Sequence, residues 1–363
     1  MPPTAHLTCR RCDHPPAPLD WRCTACGGAL ELSDEPPFDA DHIRREDWSM
    51  WRYGAMLPVE KRVTLGAGGT PLVQTTWDEQ RVWAKLDYTN PTGSYKDRGV
   101  EALINYLSAQ GVTDVVADSS GNAGASIALY AAAAGMRARI FTPASAPAGK
   151  KRAIAAAAEL VEVSGSRAEV TEACLQAIEA GAAYATHAWH PFFIVGQQTL
   201  AWELWEQLGG VPAAVVMPVG QGLLLLGMAR GFRALYAAGL IDRLPRLYAV
   251  QSAASDPVVR GIESHTEEPI AVTPGETSAD GVMIGQPVRG AQIMAAIRES
   301  GGTAFRYQEA DITAARSGLA RRGFYVEPTS ALTAAALHQV RAHLGDELGK
   351  IVIVLTGNGL KTQ

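Results

Sequence analysis

Residues 90–99 read Asn-Pro-Thr-Gly-Ser-Tyr-Lys-Asp-Arg-Gly, and they place a lysine at the junction of a predicted loop and a predicted helix. Asn-Pro and Thr-Gly are turn signals, so the segment should begin as a tight loop. Ser94 is a candidate N-cap, and the apolar positions of an amphipathic helix follow at Val100, Leu103, Ile104 and Leu107. Lys96 would lie in the first turn of that helix, where a neutral amine could form a Schiff base. On this stretch alone, a solvated surface lysine remains the alternative.

Two later segments have the order strand, glycine-rich turn, helix. Ser-Ser-Gly-Asn-Ala-Gly at 119–124 follows a strand candidate at 115–117 and precedes a predicted helix. Pro-Val-Gly-Gln-Gly at 218–222 follows a second strand candidate and leads into an apolar run. In this arrangement free backbone N–H groups and the helix dipole favour a bound anion. Such turns are common in α/β proteins, so each segment by itself is weak support for a site.

Taken with Lys96 and with Leu-Thr-Gly-Asn-Gly-Leu-Lys at 355–361, these segments resemble the pyridoxal-phosphate enzymes of fold type II. Within that group the chain resembles the threonine synthase family, from about residue 53 to residue 361. Three further motifs of the family follow in order: Leu-Gly-Ala-Gly-Gly-Thr-Pro-Leu at 65–72, Pro-Ala-Gly-Lys at 147–150 and Glu-Pro-Thr-Ser-Ala at 327–331. The resemblance implies a pyridoxal 5'-phosphate-dependent lyase of amino-acid metabolism, acting at Cβ or Cγ of an α-amino acid.

The resemblance also implies two parallel-sheet α/β domains with the cofactor between them. The sequence agrees, because short strand candidates alternate with alanine-rich helical segments. These candidates are residues 71–73, 82–86, 115–117, 139–142, 160–163, 183–185, 213–217, 248–250, 303–307 and 351–355. We expect a zinc-ribbon-like segment at 1–35, a large cofactor-binding domain from 36–89 and 186–363, and a small domain at 90–185.

The family's roles can be carried onto matching residues. Lys96 would attach the cofactor and then act as the proton-shuttling base, Asn122 would bind its phenolic oxygen, and Thr356 would face its pyridine nitrogen. The backbone donors for the cofactor phosphate would be Gly220, Gln221, Gly222, Leu223 and Leu224. The substrate contacts, including those to the α-carboxylate, would be Ser119, Ser120, Gly121, Asn122, Ala123 and Lys150.

The chain departs from the family where a substrate phosphate would be bound. Threonine synthases carry Asn-Pro-x-Arg-x-x-Gly-Gln-Lys-Thr, whereas residues 190–199 read His-Pro-Phe-Phe-Ile-Val-Gly-Gln-Gln-Thr. Phe193 thus replaces the arginine and Gln198 the lysine. Losing one charged hydrogen bond weakens phosphate recognition roughly 10- to 150-fold. Lys150 or Arg289 could compensate.

Further departures are Ala123 in place of a threonine, Ala-Asp-Gly at 279–281 in place of an Ala-Thr-Ala-type run, and Met283 in place of an arginine. Conversion of O-phosphohomoserine to threonine is the default reaction of the family. Alternatives are threonine or serine deamination, or β-replacement on an unphosphorylated amino acid. A non-catalytic binding module is a different class, and the joint presence of Lys96, Asn122 and Thr356 argues against it.

Two Cys-x-x-Cys pairs, Cys9 with Cys12 and Cys23 with Cys26, stand ten residues apart. Such pairs on turns can close a tetrahedral thiolate site around zinc, and four protein thiolates leave no open position for chemistry. Disulfides are the alternative. The first residues form no secretory signal, which argues against disulfides and for a cytoplasmic location. Cys174, within a predicted helix, is expected in the core.

Composition limits the partners. Charged residues make up 19% of the 363 residues and the net charge is −5, which gives no reason to expect nucleic acid or an anionic membrane. No apolar run is long enough for a membrane span. We expect a small amino acid as substrate and a homodimer as the assembly.

Overall fold

The protein is described by a computed structural model that covers residues 6–119, 121–146, 148–345 and 349–362; for Lys150, Arg167 and Thr362 only the backbone is described. The strands are β1 (Leu7–Cys9), β2 (Leu30–Leu32), β3 (Leu72–Trp77), β4 (Gln80–Lys85), β5 (Asp114–Ala117), β6 (Arg137–Pro143), β7 (Glu159–Val163), β8 (Ala183–Tyr184), β9 (Ala214–Pro218), β10 (Arg246–Ser252), β11 (Ala304–Tyr307) and β12 (Ile351–Val354). The helices are α1 (Lys96–Ala109), α2 (Asn122–Ala133), α3 (Ala148–Ala155), α4 (Arg167–Glu179), α5 (Pro191–Leu208), α6 (Leu223–Ala237), α7 (Pro257–Glu263), α8 (Gly290–Glu299), α9 (Glu309–Ala320), α10 (Pro328–Ala335) and α11 (Leu337–Leu344).

The larger sheet has the order β11-β10-β9-β12-β4-β3 within the described residues, and it is parallel except for the antiparallel edge strand β3. Its central strands are apolar throughout because helices cover both faces. In β12, Val352 and Val354 pack into the core shared with α5, α6 and α8, whereas Ile351 and Ile353 pack with α9, α10 and α11. The alternation of strand side chains therefore divides the core into two layers.

The smaller sheet has the order β7-β6-β5-β8, again within the described chain, and all its pairs are parallel. Each of the ten strand candidates overlaps one of the strands β3 to β12, so the predicted succession of strands is confirmed. Cys174 is fully buried against this sheet, as expected.

Lys96 lies in the first turn of α1, as predicted, but Ser94 does not cap the helix. The cap position is Tyr95, and the buried Ser94 hydroxyl has no partner within the described part of the chain. The reason is that Ser94 forms an antiparallel bridge with Gly357, and the Tyr95 N–H donates to the carbonyl of Thr356 at 3.0 Å. The segment is held by a distant strand end rather than by its own helix.

The predicted helix and the burial of its apolar positions are confirmed, but its polar side chains are buried too, because α1 is enclosed on all sides from Asp97 to Leu107. Arg98 lies inside with its guanidinium on Asp87 at 2.8 Å and on Glu203 at 2.8 Å, and Lys85 is an ion-pair partner of the same Glu203. Burial alone would raise the pKa of Glu203, but Arg98 and Lys85 lower it to about 2. Two buried cations are thus matched by two buried carboxylates close to residues 90–96, which we call the lysine loop.

Candidate active site

Lys96 is half-buried and its Nζ lies 4.8 Å from the ring centroid of Tyr95 and 5.5 Å from that of Phe193. No described residue accepts a hydrogen bond or forms an ion pair with this ammonium. Lysine side chains are almost never fully buried in folded proteins unless they are paired. A lysine without an acceptor, set against two aromatic rings at the start of a helix, is available for chemistry with a ligand.

Thr356 lies directly beside the lysine loop through the backbone contact with Tyr95 already described. Its Oγ1 is 2.9 Å from Ser330 Oγ at the N-terminal end of α10. The same Ser330 oxygen accepts from the N–H groups of Thr356 and Gly357, each at 2.9 Å. Thr356 therefore presents a buried neutral hydroxyl whose orientation is set by Ser330, a residue to which the sequence had assigned no role.

Asn122 is the first residue of α2, in the loop that the sequence assigned to a substrate carboxylate. Its Nδ2 donates to Glu327 Oε2 at 2.9 Å. The N–H groups of Gly121, Asn122, Ala123 and Gly124 have no acceptor among the described residues. Ser119 is buried, and its carbonyl oxygen lies so close to Gly124 that a Cβ on Gly124 would overlap it. Ser120 lies outside the described residues, as does the side chain of Lys150.

The loop from Gly220 to Leu224 opens α6. Gly222 is the N-cap of α6, with a φ of 77° in the left-handed region. The backbone N–H groups of residues 220–225 have no acceptor in the described parts of the chain. Gln221 turns its side chain away, since Oε1 accepts from the N–H of Val288 at 3.1 Å. A Cβ on Gly220 would lie 2.6 Å from the carbonyl oxygen of Gly281. Unpaired backbone donors at a helix N-terminus, narrowed by a neighbouring loop, suit a phosphate.

Helix α5 connects the lysine loop to α6. Gln197 donates from Nε2 to the carbonyl of Tyr95 at 3.1 Å, and its Cβ fills the space where Gly227 of α6 has no side chain. Four residues earlier, the fully buried Phe193 packs on Gly99 of α1 and faces Lys96. One helix thus fixes the distance between the lysine amine and the helix that follows the 220–224 loop.

Asp97, next to Lys96, was not among the predicted site residues. Its buried carboxylate accepts from the Thr92 N–H at 2.7 Å, the Thr92 hydroxyl at 2.5 Å and the Ser126 hydroxyl at 2.7 Å. Burial, partly offset by these donors, raises the pKa of Asp97 to about 6. Because Ser126 belongs to α2, Asp97 joins the lysine loop to the helix that carries Asn122. The sequence showed the position of Asp97 in the first turn of the helix, but not its burial.

The replaced phosphate contacts have definite positions. Phe193 lies beside Lys96, as described, and Gln198 is buried on α5. Arg289 donates to Glu31, to the carbonyl of Leu30 at 2.6 Å and to the carbonyl of Trp189 at 2.7 Å. The suggestion that Arg289 replaces the missing arginine is therefore wrong, because its guanidinium is engaged by the N-terminal hairpin.

The four N-terminal cysteines converge at that hairpin, formed by β1 and β2. Their sulfur atoms all lie within 4.8 Å of one another, with Cys9 and Cys26 3.5 Å apart and Cys12 and Cys23 3.5 Å apart. A disulfide bond is about 2.05 Å long, so these are free thiols. Tetrahedral zinc with Zn–S bonds of about 2.3 Å separates its sulfur ligands by roughly 3.8 Å. The cluster fits such an ion.

No helix among the described residues is both long and apolar enough to cross a bilayer.

The comparisons with known proteins agree on one family. The family described as "Pyridoxal-phosphate dependent enzyme" matches residues 63–357 of this chain. The chain is 32% identical to a threonine synthase of Methanosarcina acetivorans, over 98% of this chain and 92% of that protein. It is also 32% identical to a threonine synthase of Methanocaldococcus jannaschii, over 93% and 87%. Among solved structures it is similar to a maize serine racemase (TM-score 0.72, 24% identity, 88% and 93% covered) and to a threonine deaminase of T.th. (TM-score 0.67, 27% identity, 80% and 92% covered).

Proposed function

The chain belongs to the pyridoxal-phosphate-dependent enzymes, in the threonine synthase family, so it is a lyase of α-amino acids, and we propose that its substrate carries no phosphate group. The observation that carries the proposal is the buried ring of Phe193, 5.5 Å from Lys96 Nζ. Elimination or replacement would take place at Cβ or Cγ of that substrate.

The residues around Lys96 fit the cofactor. Lys96 would attach it, Thr356 would face its pyridine nitrogen, Asn122 would meet its phenolic oxygen, and the backbone from 220 to 224 would hold its phosphate. The unpaired N–H groups of that loop and the unpaired ammonium of Lys96 support this assignment. When bound, the cofactor supplies an electron-withdrawing ring that stabilises negative charge at Cα of the substrate. Thr356 would offer the pyridine nitrogen a neutral hydroxyl instead of a carboxylate, which would leave that nitrogen largely unprotonated and favour elimination and replacement.

The substrate would be oriented by the start of α2. The N–H groups from 121 to 124 are donors without acceptors among the described residues, at a helix N-terminus where negative charge is favoured. An α-carboxylate bound there brings Cα towards Lys96, whose amine would take the Cα proton and return it later in the reaction. The loop residues Ser119 and Ser120 and the side chain of Lys150 remain predicted substrate contacts.

The surroundings of Phe193 argue against a phosphorylated substrate. A phenyl ring donates no hydrogen bond, and burying a phosphate dianion without donors is strongly unfavourable. Arg289, which could have compensated, is bound to the N-terminal hairpin. We therefore expect the leaving group to be neutral or differently charged, as in threonine or serine deamination.

Conversion of O-phosphohomoserine to threonine is the second candidate, favoured by the names of the two relatives that are 32% identical to this chain.

The experiment is a comparison of kcat/KM over a panel of amino acids: serine, threonine, homoserine, O-acetylhomoserine and O-phosphohomoserine. This ratio measures discrimination between transition states. We expect an unphosphorylated amino acid to be the best substrate by at least about 10-fold, the effect of one missing charged hydrogen bond. Phe193→Arg should raise kcat/KM for O-phosphohomoserine, whereas Phe193→Leu, which opens the same space without a charge, should not. O-Phosphohomoserine as the best substrate of the unaltered protein would refute the proposal.

The cysteine cluster supports a second proposal, a structural zinc bound by Cys9, Cys12, Cys23 and Cys26. The two sheets are consistent with the division into a segment at 1–35, a large domain from 36–89 and 186–363, and a small domain at 90–185, which we retain as a proposal. The homodimer and the cytoplasmic location stay predictions.

A further inference from the structure

Glu327 is a buried carboxylate in the site whose place in the reaction is not explained by the assignments above. It is 6% exposed and stands at the N-cap of α10, but its side chain makes no capping hydrogen bond. Instead, Oε2 accepts from Nδ2 of Asn122 at 2.9 Å. Because the carboxylate binds the amide of Asn122 instead of capping its own helix, we infer that it has a role at Asn122.

Gly357 gives an independent sign that this position of the carboxylate matters. Its φ is not among the positive values, so the backbone does not require glycine there. A Cβ would overlap Glu327 Oε2 and lie 3.3 Å from Asn122 Nδ2. The backbone on both sides is fixed, since the Glu327 N–H donates to the Gly357 carbonyl at 3.0 Å. The missing side chain of Gly357 is therefore what admits the carboxylate to Asn122.

The chemistry of the pair sets the orientation of the amide. A primary amide offers two N–H donors on one side and a carbonyl acceptor on the other, and it can be turned over by rotation of the side chain. Glu327 Oε2 accepts this hydrogen bond, so Glu327 holds the nitrogen side of Asn122 towards itself. One N–H of Nδ2 is used by the carboxylate and the other remains free to donate.

We propose that Glu327 is a positioning residue that acts through Asn122. The absence of a side chain at Gly357 leaves the space in which the Glu327 carboxylate reaches Asn122. This inference rests on the proposed cofactor site, in which Asn122 meets the phenolic oxygen. By keeping Nδ2 on the correct side, Glu327 ensures that this oxygen meets a donor and not the amide carbonyl. The cofactor is then bound in one defined orientation before any substrate arrives.

The test measures the dissociation constant and the visible absorption spectrum of the cofactor, by titrating apoprotein with pyridoxal 5'-phosphate. Glu327→Gln keeps the shape but can present either oxygen or nitrogen to Asn122, so both orientations of the amide become possible. We expect affinity to fall about 10-fold, with a changed absorption band, while borohydride still fixes the cofactor on Lys96. Gly357→Ala should have the same effect, because its Cβ displaces the carboxylate.

Matched controls are Glu206→Gln, a partly buried carboxylate on Arg52 at 3.0 Å, and Gly275→Ala, whose Cβ would come no nearer than 3.5 Å to any atom. Both should leave affinity and spectrum unchanged.

A double-mutant cycle separates positioning from general support of the fold. In an Asn122→Ala background, Glu327→Gln should have no further effect on cofactor affinity, because the residue it acts through is gone. Additive losses, or a Glu327→Gln protein with the affinity and spectrum of the unaltered chain, would overturn the inference and leave the proposed function intact. Absence of cofactor from Lys96 in the unaltered protein would instead overturn the proposed function, and this inference with it.

Discussion

At the scale of single residues, Lys96 is set apart by what it lacks. Its ammonium faces two aromatic rings and has no acceptor among the described residues. By contrast, Lys85, only eleven positions earlier, is fully buried on Glu203 and on carbonyl oxygens. Of these two lysines, Lys85 is bound within the fold, whereas the ammonium of Lys96 is left without an acceptor among the described residues.

Lys96 should therefore be the residue that carries the cofactor. The purified protein is expected to be yellow, and borohydride should bleach it while fixing the cofactor on Lys96 in a tryptic peptide. Lys96→Ala should abolish turnover, because the same amine anchors the cofactor and moves the proton. Lys85→Met is the control, which should retain the adduct on Lys96 even if it lowers stability. An adduct on any other lysine would contradict the assignment.

Asp97 should make stability depend on pH in a particular direction. Burial raises its pKa from 3.8 to about 6, so the folded state binds a proton that the unfolded state releases. The contribution of Asp97 to stability is fully present below about pH 4 and is lost as pH rises through about 6, by up to roughly 3 kcal/mol.

Urea unfolding of the unaltered chain and of Asp97→Asn at pH 4, 5, 6 and 7 measures this. The stability of the unaltered protein relative to Asp97→Asn should fall with rising pH. Asp242→Asn, on a side chain that is 82% exposed, serves as control and should give parallel curves. Parallel curves for Asp97→Asn as well would show that its pKa is not raised.

At the scale of elements, helices α1, α5 and α6 pack closely together because glycines lie at their contacts. A Cβ on Gly196 of α5 would overlap the carbonyl of Arg98 in α1, and one on Gly227 of α6 would overlap Gln197. Small residues let helix backbones come together, and the larger neighbours then fill the space beside them. The lysine helix, the helix with Phe193 and the helix of the 220–224 loop are thus held as one packed group.

The hairpin of β1 and β2 has only three residues in each strand, so we expect it to depend on the proposed zinc more than any other element described. Elemental analysis should give about one zinc per chain, lost on replacing Cys12 and Cys23 by serine. Cys174→Ser, outside the cluster, should keep the metal.

Removing the zinc with a chelator should increase amide exchange in the hairpin before it alters the cofactor spectrum, because small zinc modules fold with their metal. Cysteines paired as disulfides in the freshly purified protein would contradict this.

At the scale of the whole molecule, the sequence predicted what is local or periodic. Strands β9 and β12 are continuous apolar runs, since both faces of a parallel sheet are covered, and they were found without any knowledge of their partners. Lys96, Asn122 and the loop at 220–224 were assigned from the family's motifs, and their roles stay predictions. The cap at Ser94 was predicted wrongly, because a bridge to Gly357 overrides the local preference.

The long-range contacts were beyond reach for a related reason. Asn122 and Glu327 are 205 positions apart, and Arg289 and Glu31 are 258 apart. No periodicity within a segment contains such pairings, because they arise only when whole layers pack. Asp97 and its partner Ser126 are 29 positions apart and lie in different helices. A charged residue in a predicted helix also suggests solvent until the helix is seen to be enclosed.

The position of β12 has a consequence for how the protein is made. Residues 351–354 form β12, which lies in the middle of the larger sheet between β9 and β4. In the sequence, however, β12 comes after all the other described strands. During synthesis, β4 and β9 leave the ribosome with the gap between them open, and each exposes an edge able to pair with another chain. The two halves of this sheet can join only when the last strand arrives, so a nascent chain stalled before residue 351 is a natural client for chaperones and proteases.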